Sequence, residues 1–168
     1  MKCRRIMLTG FMGSGKSTVG RALAARLRYP FADTDALIEE REGRKVSDIF
    51  SERGEAHFRH LEHRITHDLT RDDSLVVSSG GGYIMTNAVY QIAAANFTIV
   101  YIDTPFDLCL QRIKDDKKRP LAAGRADEEL HRLFLRRKSL YRVRCDFSVD
   151  GSKDTASIVE DILAQWTC

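Results

Sequence analysis

The run Gly10-Phe11-Met12-Gly13-Ser14-Gly15-Lys16-Ser17 constrains this chain more than any other stretch. It fits G-x-x-x-x-G-K-[ST] at every fixed position, and that pattern requires a strand before it and a helix after it. Both are present. Arg5–Thr9 reads as a buried strand, and Lys16–Arg28 reads as a helix with Val19, Leu23 and Leu27 recurring every four residues. Glycines let the backbone curl until successive N–H groups face one phosphate, and the helix N-terminus adds partial positive charge. In such a loop Lys16 reaches the β- and γ-phosphates and Ser17 offers its hydroxyl to Mg²⁺. The loop predicts nucleotide binding but names no reaction. No N-K-x-D sequence follows, so the usual guanine reader of GTPases is missing. Small-molecule or nucleotide kinase chemistry is what remains for a chain of 168 residues.

The rest of the chain alternates strands and helices. Pro30 opens a short strand, Phe31–Asp33, and a helix from about Ala36 to Glu42 stops at Gly43. Ser47 is the expected N-cap of a short helix, and a longer one follows with Phe58, Leu61, Ile65 and Leu69 on one face. Leu75–Ser78 is a third strand that runs into Gly80-Gly81-Gly82, and a helix spans about Asn87–Ala95. Thr98–Ile102 is apolar throughout, as a central parallel strand is. Thr104 as N-cap and Pro105 begin the next helix, to about Ile113. Lys114–Arg125 is charged, contains Pro120 and Gly124, and reads as a mobile loop. A helix over Asp127–Tyr141, a strand at Phe147–Val149 and a helix over Thr155–Trp166 complete the chain. This order predicts an α/β fold, a three-layer sandwich with a five-stranded parallel sheet, in a single domain over residues 1–168. A hydrophobic content of 43% with 30% charged residues excludes a disordered chain. No apolar run approaches the ~20 residues of a membrane span, and the segment Ile6-Met7-Leu8 is too short for a signal-peptide core.

Several side chains stand out as carriers of chemistry. Asp33 and Asp35 end the second strand, where alternation would point both carboxylates toward the carboxyl end of the sheet. There they could serve a metal ion or accept a proton from an attacking hydroxyl, unless one is merely a helix cap. Three successive glycines at 80–82 suit either close approach to a ligand or a turn needing positive φ. Arg137 falls on the apolar face made by Leu130, Leu133, Phe134, Leu140 and Tyr141. It needs an anionic partner there, whether a ligand carboxylate or an acidic side chain, unless it snorkels out. Arg59, taken alone, reads as a surface charge. His57, His60, His63 and His67 read as a solvated helix face, although their spacing also suits metal. Cys3, Cys109, Cys145 and Cys168 lack metal-ligand spacing and read as free thiols of a reducing compartment. The net charge is only +3, but Arg112–Arg144 holds 12 Lys and Arg against 5 Asp and Glu. That block fits an anionic ligand, a nucleic acid or plain solvation. It lacks interleaved aromatics up to Leu133, so no base-stacking platform is evident.

Taken together, these motifs resemble the shikimate kinase family along nearly the whole chain. The resemblance is carried by G-F-M-G-S-G-K-S-T at Gly10–Thr18, D-T-D at Asp33–Asp35, G-x-x-x-x-D-I-F at Gly43–Phe50 and F-R-x-x-E at Phe58–Glu62. G-G-G at Gly80–Gly82, R-P-L at Arg119–Leu121 and R-x-x-L-Y at Arg137–Tyr141 complete it. The resemblance implies a P-loop kinase fold with a mobile lid at about 113–125. It also implies ATP-dependent phosphorylation of the 3-hydroxyl of shikimate, in the route to chorismate and the aromatic amino acids. Gly13, Ser14, Gly15, Lys16, Ser17 and Thr18 would hold ATP, with Arg112 against the adenine and Arg119 reaching the phosphates from the lid. Asp33 would help hold Mg²⁺ beside Ser17. Asp35 would assist the attacking hydroxyl, and Lys16, Asp35 and Arg119 would be the catalytic set. Arg59 and Arg137 would clamp the shikimate carboxylate, with Gly80, Gly81 and Gly82 lining the same pocket. A cytoplasmic monomer acting on small molecules is implied, with no nucleic-acid or membrane partner. The alternatives are another small P-loop kinase, acting on gluconate or a nucleoside monophosphate, and a nucleic-acid binder that uses the basic block.

Overall fold

The computed structural model describes residues 4–115 and 127–166. Five parallel strands form one sheet in the order β2-β3-β1-β4-β5. They are β1 (Arg5–Thr9), β2 (Phe31–Asp33), β3 (Leu75–Ser78), β4 (Thr98–Asp103) and β5 (Phe147–Asp150). The helices are α1 (Lys16–Leu27), α2 (Thr34–Glu42), α3 (Val46–Leu69), α4 (Asn87–Asn96), α5 (Phe106–Asp115), α6 (Asp127–Arg144) and α7 (Thr155–Gln165). A 3₁₀ turn covers Tyr83–Met85.

The sheet separates two apolar cores because alternate residues of each strand face opposite sides. Ile6, Leu8, Val76, Val100 and Ile102 pack against Val19 and Leu23 of α1 and Ile158, Val159 and Ile162 of α7. Met7, Val77, Ile99 and Tyr101 face the other way, toward Phe58, Leu61 and Ile65 of α3, Val89 of α4 and Phe134 and Tyr141 of α6. The expected three-layer sandwich is thus present. β1, buried at every position, lies centrally between β3 and β4. The chain leaves it for β2 on one side and later returns for β4 on the other. That reversal opens a crevice beyond the carboxyl ends of the strands, where α/β sheets bind ligands.

The expected elements recur with shifted ends. α2 begins at Thr34 rather than Ala36, and Gly43, at φ 64°, stops it. The two expected helices after Gly43 form one element broken at Gly54 (φ 78°, ψ 173°). Ser47 is not its cap. Lys45 occupies that position, the Ser47 hydroxyl turns to Asp48, and the Glu39 carboxylate of α2 accepts from the Val46 N–H at 2.9 Å. Thr104 does not cap α5 either. Its hydroxyl donates to the Ser14 carbonyl at 3.1 Å, while the Pro105 carbonyl accepts from the Cys109 N–H. α5 runs past Ile113 to Asp115, so Lys114 is helical and not part of a loop. The remainder of the expected lid, with Arg119, Pro120 and Gly124, lies outside the described residues.

Candidate active site

The phosphate loop bridges β1 and α1. Gly13 and Gly15 have φ 76° and 93°, values that L-residues with a Cβ rarely adopt. A methyl group on Gly13 would also meet the Cys109 carbonyl at 2.6 Å. The Lys16 ammonium donates to the Gly10 and Phe11 carbonyls at 2.9 and 2.8 Å and lies 3.4 Å from Ser14 Oγ. The loop is therefore folded around its own lysine. Thr18 is exposed in the first turn of α1. Arg112, on α5, donates to the Gly13 carbonyl at 3.3 Å, which places its guanidinium over the loop.

The Ser17 hydroxyl donates to Asp33 Oδ2 at 2.8 Å and lies 3.1 Å from Ser78 Oγ. Ser17 and Asp33 are thus brought together as the motifs suggested. The alternation argument for Asp33 and Asp35 fails, however, because the chain turns helical at Thr34. Asp33, not Asp35, is the cap: its Oδ1 accepts from the Asp35 and Ala36 N–H groups at 3.1 and 3.3 Å. Asp35 sits in the first turn of α2 and faces Gly80 instead, where a methyl group would lie 2.6 Å from Asp35 Oδ1. The Gly80 N–H donates to Thr34 Oγ1 at 2.9 Å and ties the glycine turn to the same corner.

None of Gly80, Gly81 and Gly82 is among the glycines of positive φ, which removes the strained-turn explanation. What they leave room for is side chains. A methyl group on Gly82 would sit 3.0 and 3.1 Å from the terminal nitrogens of Arg59 and 3.4 Å from one of Arg137. On Gly81 it would sit 3.4 Å from Arg137 and 3.5 Å from the Met12 nitrogen of the phosphate loop. Two guanidiniums, from α3 and α6, therefore converge on one glycine beside Asp35 and the loop. Arg59 is no surface charge: its side chain is 20% exposed and forms ion pairs with Glu62 at 2.7 Å and Glu55 at 3.0 Å. It also donates to the Gly82 carbonyl at 3.2 Å.

Glu62 carries no role in the sequence reading. It lies on the buried stripe of α3 between Leu61 and Ile65, three residues after Arg59, and is 1% exposed. An acid on an apolar face three residues from a basic residue was the available signal. Burial, reinforced by Asp35, pushes its carboxyl up to about 7 against the pull of Arg59 and Arg137. Burial lowers Arg59, but Glu62 and Glu55 outweigh it and hold the guanidinium above its ordinary value. The Arg59 charge is thus retained in a pocket whose partner carboxyl takes up and releases its proton close to neutrality. Among the histidines, His57 Nε2 lies 3.8 Å from Glu42. No group of three or more metal-capable side chains gathers among the described residues. Burial pushes the Cys109 thiol up to about 11.

A parallel sheet in this strand order, with a glycine-lysine loop after the central strand and a second cleft of acid and arginines beside it, defines a P-loop kinase. The sequence profile of the shikimate kinase family matches residues 12–167. A shikimate kinase of Aquifex aeolicus is 41% identical over 159 residues, 95% of this chain and 94% of that protein, and its crystal structure superposes with a TM-score of 0.84. A shikimate kinase of Acinetobacter baumannii, solved in complex with shikimate, is 36% identical, covers 95% of this chain and 90% of that one, and has a TM-score of 0.88. A gluconokinase of Sinorhizobium meliloti, at 21% identity and a TM-score of 0.59, shares the fold alone. The chain belongs to the shikimate kinase family.

Proposed function

We propose that this protein transfers the γ-phosphoryl group of ATP to the 3-hydroxyl of shikimate. The observation that carries this reading is the convergence of Arg59 and Arg137 on Gly82, beside Asp35 and within reach of the phosphate loop. Two guanidiniums suit a carboxylate, which accepts forked N–H pairs. A carboxylate such as that of Asp35, close to this clamp, suits a hydroxyl that must be oriented for in-line attack.

Phosphoryl transfer is chiefly positioning and electrostatics. Lys16 exchanges one loop carbonyl for a phosphate oxygen, and the loop N–H groups from Gly13 to Thr18 hold the remainder of the triphosphate. Arg112 lies against the base, and Arg119 adds positive charge to the phosphates. Arg59 and Arg137 fix the acceptor by its carboxylate, Gly80–Gly82 line the pocket, and Asp35 takes the hydrogen bond of the 3-hydroxyl. Ser17 and Asp33 offer hard oxygen donors of the kind Mg²⁺ takes, 2.8 Å apart beside the phosphate loop. Bound there, the ion would neutralise charge on the β- and γ-phosphates.

A coupled assay with shikimate, gluconate and AMP tests the acceptor. Turnover with shikimate alone is expected; turnover with gluconate or AMP but not shikimate overturns the reading. Phosphorus NMR of the product checks the 3-position. The same reading takes the enzyme as a cytoplasmic monomer of the chorismate route, without nucleic-acid or membrane partners. In its support, the large apolar side chains exposed among the described residues are only Leu135 and Val143, too few for a sizeable docking patch. No described helix is long and apolar enough to cross a membrane. Light scattering at the monomer mass and the absence of a gel shift with DNA or RNA at low salt are the expected outcomes.

A further inference from the structure

Tyr141, one turn after Arg137 on α6, has no part in the roles above. Its ring is 1% exposed and stacks on Tyr101 of β4, with centroids 5.1 Å apart and planes 28° apart. Its hydroxyl reaches two elements of the arginine cleft at once. It donates to the Gly81 carbonyl, and the Arg137 guanidinium, which a methyl group on Gly81 would meet at 3.4 Å, faces the same oxygen. Chemistry fixes the polarity at both ends, because a carbonyl only accepts and a guanidinium presents only N–H groups. The phenol proton is committed to Gly81 and a phenol lone pair to Arg137. Burial raises the phenol above its ordinary pKa, against the pull of Arg137, so the proton that serves Gly81 stays in place.

The bond to Gly81 does more than anchor one atom. The Gly81–Gly82 peptide is planar and trans, so fixing the Gly81 carbonyl also fixes the Gly82 N–H on the opposite side. The next carbonyl, that of Gly82, is held by Arg59 at 3.2 Å and by the Met85 N–H at 3.1 Å. Three glycines in a row have more backbone freedom than any other tripeptide. Their geometry therefore depends on such tethers, one of which leads directly to Arg137.

We infer that Tyr141 is a positioning residue for the acceptor's anionic group: its single hydroxyl locks the Arg137 guanidinium and the Gly81–Gly82 peptide into one geometry before the substrate arrives. The gain is preorganisation, because the carboxylate then meets an arginine that need not be ordered on binding. This inference rests on the clamp role proposed for Arg137, and it names a residue that touches neither substrate.

The test is Tyr141→Phe, which keeps the ring and its stack on Tyr101 and removes only the oxygen. The shikimate KM should rise about tenfold, the effect of losing one hydrogen bond to a charged group, while kcat and the ATP KM stay within about twofold. Binding of the methyl ester of shikimate, which lacks the negative charge, should change little by calorimetry; a purely structural role would weaken both ligands and move both KM values. In an Arg137→Ala background the same substitution should add almost nothing, since its effect runs through that arginine. An unchanged shikimate KM, equal loss for acid and ester, or an undiminished effect in the Arg137→Ala background overturns the inference. If Arg137→Ala weakens shikimate and Tyr141→Phe does not, the positioning role alone falls. If Arg137→Ala itself leaves the shikimate KM unchanged, the clamp reading and this inference fall together.

Discussion

The phosphate loop and the arginine cleft lie side by side at one end of the sheet, yet they are built in opposite ways. The loop is one contiguous run, Gly10–Ser17, whose shape comes from backbone conformation and from a lysine bonded to the loop's own carbonyls. The cleft gathers Asp35 from α2, Arg59 and Glu62 from α3, the glycines after β3 and Arg137 from α6, and is held by side chains bonding to carbonyls and to one another. A loop made of backbone tolerates changes around it and fails when its own residues change. A cleft made of side chains from four segments can be degraded in steps, and each step should disturb one substrate more than the other.

The largest effect expected is that of Lys16→Ala. Turnover should fall at least about a thousandfold, as loss of a charge that acts on the transferring phosphoryl group implies; a fall of less than about tenfold would remove the loop from the chemistry. Next comes Gly80→Ala. The added methyl would lie 2.6 Å from Asp35 Oδ1, so the carboxylate must move, and misplacement by about an ångström costs roughly a hundredfold in kcat. The ATP KM should be unchanged, and if it rises equally the two regions are not separable. Arg137→Ala should raise the shikimate KM by tens of fold, about 1.5–3 kcal/mol for a charge-assisted contact, and leave the ATP KM within about twofold. Equal effects on both substrates would contradict the clamp.

The smallest effect concerns Glu62, and its sign follows from its carboxyl standing at about 7 rather than the ordinary 4.5. Between those values the folded chain binds more protons than the unfolded one, so this group lowers stability as pH rises through that window. The contribution is on the order of 3 kcal/mol. The loss of Tm between pH 5 and pH 8 should therefore be smaller in Glu62→Gln than in the parent enzyme. The shikimate KM of the parent should rise a few-fold over the same range, as the ionising Glu62 competes with the substrate carboxylate for Arg59. A Glu62→Gln enzyme with an undiminished pH dependence would show that Glu62 is not the titrating group.

The same contrast explains what could be read from the chain. Gly10–Ser17 was legible in full because its function lies in consecutive residues whose spacing is itself the geometry. The strands were legible because each is a short apolar run, and β1 to β5 fall within a residue or two of where hydrophobic patterning puts them. Asp33 and Asp35 were recognised, but their division of labour was not, since it depends on where extended chain becomes helix. Arg59 looked like a surface charge because periodicity does not reveal that Gly82 approaches it from a different segment. Glu62 belongs to the F-R-x-x-E motif, but only the fold places its carboxylate 2.7 Å from the Arg59 guanidinium. Ser47 and Thr104 were plausible caps whose hydroxyls found other partners, and caps are a local rule that tertiary contacts override.

The central position of β1 has a consequence for how the enzyme is made. Ile6 pairs with Val76 on one side and Thr98 on the other, so the strand carrying the phosphate loop has no neighbour nearby in the chain. Such distant pairings slow folding because a long stretch of chain must be closed before any ladder bond forms. On the ribosome, β1 and the phosphate loop wait unpaired until β3 and β4 emerge. A nascent chain ending before Leu75 holds every residue of the loop and neither of the strands that flank β1. Nucleotide affinity should accordingly appear late in refolding, together with the sheet and not ahead of it.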